Sequence, residues 1–264
     1  MSVRARFAIV SLLAATLTAP ALAVDIFGIT SDGRLLNISA QSGAGTQLFD
    51  FPDNSWESLE RKPNSNAFVA IAMGNTLINV DPFGGIISTI GVSGLPHVEA
   101  LALNRTTQVL FAAVSTNADF AAESLAIINP NNGVATVIGP FGGLADVDAL
   151  AWDPVSQQLF AADLSSGAFG TVNPLTGAFS PLGAVSGLVA ALDFAPNGTL
   201  YGAAIPGVLG GPTNLVTIDP ATGATTLIGP IGFETVSGLV ATVPEPAPLL
   251  ATLSLLLLPL ARLR

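Results

Sequence analysis

The sequence predicts an all-β fold: a five-bladed β-propeller of four-stranded antiparallel blades, closed by pairing the C-terminal strand with the first blade. Three observations predict it. A turn phrase recurs at blade-length intervals, a second phrase recurs between its copies, and the runs separating them are short and rich in Val, Ile, Leu, Phe and Thr.

The turn phrase is Ile78-Asn79-Val80-Asp81-Pro82, then Ile127-Ile128-Asn129-Pro130, Thr171-Val172-Asn173-Pro174 and Thr217-Ile218-Asp219-Pro220. Its prolines stand 48, 44 and 46 residues apart, the period of a propeller blade. Asp or Asn accepts hydrogen bonds from the turn that follows it, and Pro fixes φ at the next position. A glycine comes soon after (Gly84, Gly133, Gly177, Gly223), then a β-rich run closed by Gly91, Gly139, Gly183 or Gly229. Residues 36–49 form a degenerate first copy, with Ser39-Ala40 in place of the Asp-Pro pair.

The second phrase is Val98-Glu99-Ala100-Leu101, echoed by Val147-Asp148-Ala149-Leu150, Val189-Ala190-Ala191-Leu192 and Val236-Ser237-Gly238-Leu239, and more weakly by Trp56-Glu57-Ser58-Leu59. With a strand such as 109–113 between the phrases, four strands fill each period, A to D from the channel outward. The body opens on a B strand at 25–29 and ends on an A strand at 236–241, so the last strand completes the first blade and the ring has no exposed ends. An open β-solenoid or a two-sheet sandwich is the alternative. The wording Leu200-Tyr201-Gly202 and Ile218-Asp219-Pro220-Ala221-Thr222-Gly223 resembles the repeats of bacterial secreted propeller proteins of unknown function.

The two ends have a different character. Arg4 and Arg6, the apolar run 7–17 and Ala21-Leu22-Ala23 read as a secretory signal peptide over 1–23, with the propeller domain occupying 24–242. Residues 243–264 carry Pro244-Glu245-Pro246, an apolar stretch and the closing Arg262-Leu263-Arg264. This order resembles the PEP-CTERM sorting signal of Gram-negative bacteria, although its basic end is short. The resemblance implies an exported protein handled by signal peptidase and an exosortase-type enzyme. Transient membrane contact would run through a C-terminal helix, and the destination would be the cell envelope, surface or extracellular matrix. Exopolysaccharide or surface proteins are then the expected partners.

Between these ends the chain has only Arg34, Arg61, Lys62 and Arg105 as cations against seventeen acids, a net charge near −13. Nucleic acid is a poor partner for such a surface, because phosphate binding needs clustered cations. There is no cysteine, which excludes disulfides, thiolate metal sites and cysteine nucleophiles.

Function is expected on the face that carries the B–C and D–A loops, since these vary in length while the A–B and C–D turns are short. The second position of strand A is acidic in three blades, at Glu57, Glu99 and Asp148, and innermost strands line the channel. These three carboxylates are the candidate ligands for calcium, a hard cation that prefers oxygen donors. Asp53, His97, Asp119, Glu123 and Asp146 lie in neighbouring loops as a candidate ligand-binding face. His97, the only histidine, beside Glu99, is a possible acid–base pair. No nucleophile elbow, zinc-protease motif or phosphate-binding loop is present. Three functions follow: a non-enzymatic binding or scaffolding propeller, a lyase or hydrolase acting on extracellular polymer, or a calcium-dependent structural module.

Overall fold

A computed structural model describes residues 24–51, 55–85, 87–117, 123–207 and 210–242. The signal-peptide and sorting-tail expectations therefore lie outside the described residues, as do Asp53 and Asp119. Among the described residues no helix is long and apolar enough to cross a membrane.

Among the described residues, twenty strands form five antiparallel sheets of four. The first blade holds β1 (Asp25–Thr30), β2 (Arg34–Ser39) and β3 (Gly45–Asp50). The second is β4 (Trp56–Arg61), β5 (Phe68–Ala72), β6 (Thr76–Val80) and β7 (Ile87–Val92). The third is β8 (His97–Asn104), β9 (Val109–Ser115), β10 (Ser124–Ile128) and β11 (Ala135–Pro140). The fourth is β12 (Ala149–Asp153), β13 (Gln158–Ala162), β14 (Ala168–Val172) and β15 (Phe179–Ala184). The fifth is β16 (Leu188–Phe194), β17 (Leu200–Ile205), β18 (Pro212–Ile218) and β19 (Thr225–Glu234). The last strand, β20 (Val236–Thr242), returns to the first blade and pairs with β1, Ile26 opposite Ala241 and Phe27 opposite Val240. The innermost strands β20, β4, β8, β12 and β16 touch in a closed ring. The predicted fold and its closure are both observed.

The turn chemistry works as the repeat implies. Asp81, Asn129, Asn173 and Asp219 each accept, through Oδ1, the backbone N–H two residues on, at 2.8–2.9 Å. In the degenerate copy the Ser39 hydroxyl accepts from Gln41 and Ser42 instead. The first blade thus keeps the geometry with a different residue.

The core is divided among the five seams between blades. Inner strands are covered on both faces, so they read as continuous apolar runs, whereas the outermost strands are mostly exposed. One cluster joins Phe111 and Leu125 of the third blade to Trp152 and Leu159 of the fourth, with the Phe111 and Trp152 rings stacked 5.7 Å apart. Phe27 meets Phe68 edge-on at 5.0 Å between the first and second blades, and Phe160 meets Phe194 at 5.3 Å between the fourth and fifth. Such pairs add specific geometry to burial.

The recurring glycines have a role that the repeat alone does not show. In each blade the pairing between the third and outermost strands shifts register at the same place. This bulge brings the glycine after it against the C–D turn of the next blade. A Cβ on Gly91 would strike the carbonyl of Asn132, one on Gly183 that of Thr222, and one on Gly229 that of Ser42. At the seam between the first and second blades, Phe49 stands where the glycine would be, and Gly85 of the next blade yields the space.

Candidate functional site

The channel mouth is built by a second set of bulges. Where β8 pairs with β9, the register skips Glu99; where β4 pairs with β5, it skips Glu57. The same slip skips Ala190 in the fifth blade and Ser237 in the first. In the fourth blade Asp148 stands just ahead of β12. A bulge leaves one residue out of the ladder, bends the strand locally and re-aims that residue's side chain. The five second-position residues, Glu57, Glu99, Asp148, Ala190 and Ser237, accordingly line one cavity of about 480 Å³, with His97 also in its wall. Below, the next residues of the inner strands (Ser58-Leu59, Ala100-Leu101, Ala149-Leu150, Ala191-Leu192 and Gly238-Leu239) surround a gap with no space for a water. The mouth is a blind cup.

Inside the cup, His97 bridges two carboxylates. Its Nδ1 lies 3.1 Å from Glu99 Oε1 and its Nε2 3.8 Å from Glu57 Oε1. Those carboxylates hold the imidazole protonated, raising its pKa to about 9, and His97 in turn lowers that of Glu57. Gly74, at φ +76°, makes room for the ring, because a Cβ there would come within 2.6 Å of His97 Cδ2.

On the other side of Glu99 sits an acidic group. One oxygen each of Glu99, Asp146 and Asp148 lies within 4.8 Å of the others. Burial, then the charges of Glu99 and Asp146, raises Asp148 to about 9; burial also raises Glu99 and Asp146. With both carboxyls ionised, Glu99 Oε2 is buried and lacks a hydrogen-bond partner among the described residues. A proton on Asp148, or a cation between the carboxylates, relieves that arrangement.

Asp146 is held in place by Asp163, a residue with no mark in the repeat. Asp163 Oδ2 accepts the N–H groups of Ala145 and Asp146 at 2.8 and 2.9 Å. Its Oδ1 accepts from the Ser165 hydroxyl and from both the N–H and the hydroxyl of Ser166, each at 2.7 Å. These bonds keep Asp163 ionised despite its burial.

The structure thus brings His97, Glu57, Glu99, Asp146 and Asp148 to one place. The three mutually close carboxylates are Glu99, Asp146 and Asp148, while Glu57 is turned to His97. Glu123 does not line the cup, and both its carboxylate oxygens are buried without hydrogen-bond partners among the described residues.

With this geometry in hand, comparisons give the fold its relatives. The fold is shared. No protein-family model and no curated protein sequence matches the chain. A structure from a nidogen/laminin complex superposes with a TM-score of 0.58 at 13% identity, over 83% of this chain and 98% of its own. A symmetrical protein described for its de novo evolutionary emergence gives 0.55 at 17% identity, over 84% and 100%. A candidate gluconolactonase gives 0.53 at 16%, over 81% and 75%. At these identities the likeness is one of fold alone.

Proposed function

We propose that the chain is an exported cell-surface or extracellular-matrix protein, a non-enzymatic propeller that binds or scaffolds its partners through a calcium-loaded acidic cup. The observation that carries this reading is the mutual spacing of the Glu99, Asp146 and Asp148 oxygens, all within 4.8 Å. Oxygens bound to one calcium at about 2.3–2.6 Å stand at most about 5 Å from each other, so the three fit a single ion. The buried Oε2 of Glu99, which lacks a hydrogen-bond donor when Asp148 is ionised, supplies an oxygen that a cation can take in place of the Asp148 proton. Export rests on the signal-like start and the Pro244-Glu245-Pro246 tail.

The polymer-degrading alternative needs His97 as a base. An imidazole with a carboxylate beside each nitrogen is held protonated near neutral pH and serves as a fixed cation instead. In this reading His97 balances the charge of the cup and orients Glu99.

Calorimetry with calcium chloride on the purified protein tests the proposal. Binding is expected in the range of extracellular calcium modules, about 0.1–1 mM. It should be lost in Glu99→Gln and Asp148→Asn and weakened about tenfold in Asp163→Ala, which frees the Asp146 loop. No heat from the native protein, or unchanged binding in both carboxamide variants, overturns it.

A further inference from the structure

A second cavity, of about 200 Å³, opens on the opposite face of the disc, between the A–B turns of the second and third blades. Arg61 and Lys62 line it from one turn and Arg105 from the other. They are three of the four cations between residues 24 and 242 of a strongly acidic chain. Asn64, Asn66 and Gln108 complete the polar wall, and Asn64 N–H donates to Gln108 Oε1 at 2.6 Å across the seam. The A–B turn of the second blade, residues 62–67, is longer than its counterparts at 105–108 and 154–157.

Structural counter-charge accounts for part of this cluster only. One terminal nitrogen of Arg105 contacts Asp193 Oδ2 and the Ala241 carbonyl, both at 3.2 Å. A guanidinium carries donors on three nitrogens, so this leaves capacity on the other two. Lys62 meets no carboxylate among the described residues; its Nζ donates to the neutral Asn79 side-chain oxygen at 2.7 Å. Two carboxyls lie behind the cations, Glu60 and Asp193, and burial raises both.

We infer that this pocket binds a small oxyanion, the carboxylate of an acidic sugar residue, held by Lys62, Arg61 and Arg105 with its hydroxyls against the amides of Asn64, Asn66 and Gln108. Charge-assisted bonds to an oxyanion are the strong kind, and a guanidinium can meet a carboxylate with two parallel donors. The carboxamides suit a hydroxylated carrier, and the cavity volume limits the bound part to about one sugar ring.

The test is calorimetry on the purified full chain with glucuronate, glucose, inorganic sulfate and inorganic phosphate, each up to about 10 mM. Glucuronate should bind and glucose should not. Lys62→Glu should weaken binding about tenfold or more, Lys62→Gln less, and added sodium chloride should weaken it in the native chain. Both variants leave buried groups untouched, and their melting temperatures verify the fold. Sulfate or phosphate binding in place of glucuronate, with the same loss in Lys62→Glu, would support an oxyanion pocket and assign it to inorganic or ester groups. No binding of any anion, or binding indifferent to Lys62→Glu in a folded protein, would overturn the inference.

Discussion

The carboxyl of Glu60 accepts the backbone N–H of Leu103 at 2.9 Å, across the seam between the second and third blades. Its other oxygen accepts from Arg61 N. An innermost strand has an unpaired edge toward the channel, and side chains of the preceding blade satisfy it here. Ser58 does the same for Leu101 at 3.0 Å, and Asp193 for Ala241 at 2.7 Å. Burial, reinforced by Asp193, raises Glu60 to about 8. In the unfolded chain Glu60 ionises near 4.5, so between these values the fold holds a proton that the unfolded chain has lost. This contribution to stability is complete below about 4.5 and disappears as pH rises through about 8. The melting temperature should therefore fall from pH 5 to pH 8 for this group, and Glu60→Gln should flatten the fall. An equally steep profile in Glu60→Gln would place the effect elsewhere.

His97 gives a direct reading of the cup, because the chain has one histidine. Flanked by Glu57 and Glu99, its imidazole should titrate near 9 by NMR rather than at the ordinary 6.5. Since the folded value is raised, its stabilising effect is complete below 6.5 and is lost as pH rises through 9. Glu57→Gln should lower the NMR midpoint by removing the negative charge at Nε2. A midpoint near 6.5 in the native protein would mean that the bridge does not form in solution.

The seam glycines predict a sharp contrast between two chemically identical substitutions. Gly229→Ala places a methyl against the Ser42 carbonyl and should cost about 1–3 kcal/mol, as overpacking of a well-filled interior does. Gly207→Ala meets nothing within 4 Å among the described residues at an unstrained φ, and should change stability by less than about 0.5 kcal/mol. Thermal unfolding of the two variants side by side checks this. Equal losses would mean that the blades do not approach so closely.

The blade architecture was readable in the sequence because each blade writes its own local instructions. The Asp and Asn turn residues act on the two or three residues that follow them, and even Ser39 is recognisable once the period is known. Alignment of the second phrase also placed Glu57, Glu99 and Asp148 at one level of the channel. The bulges that turn them inward leave no compositional trace, since the skipped residue is Glu, Ala or Ser in different blades. Contacts between blades were not readable. Gly91 meets Asn132 and Arg61 shares a cavity with Arg105 through juxtapositions set by the ring, and Asp163 holds Asp146 between two loops of one blade. Sequence reasoning placed function on the variable-loop face alone, whereas the longer turn beside Arg61-Lys62 was the available signal for the opposite one.

The pairing of β1 with β20 has a mechanical consequence. Asp25 and Thr242 are directly opposite each other, at the same end of an antiparallel pair. A force drawing residues 24 and 243 apart would load the first rung alone and then each rung in turn, as a zipper opens, instead of shearing all of them together. The disc should thus yield at low tension when residues 24 and 243 are pulled apart.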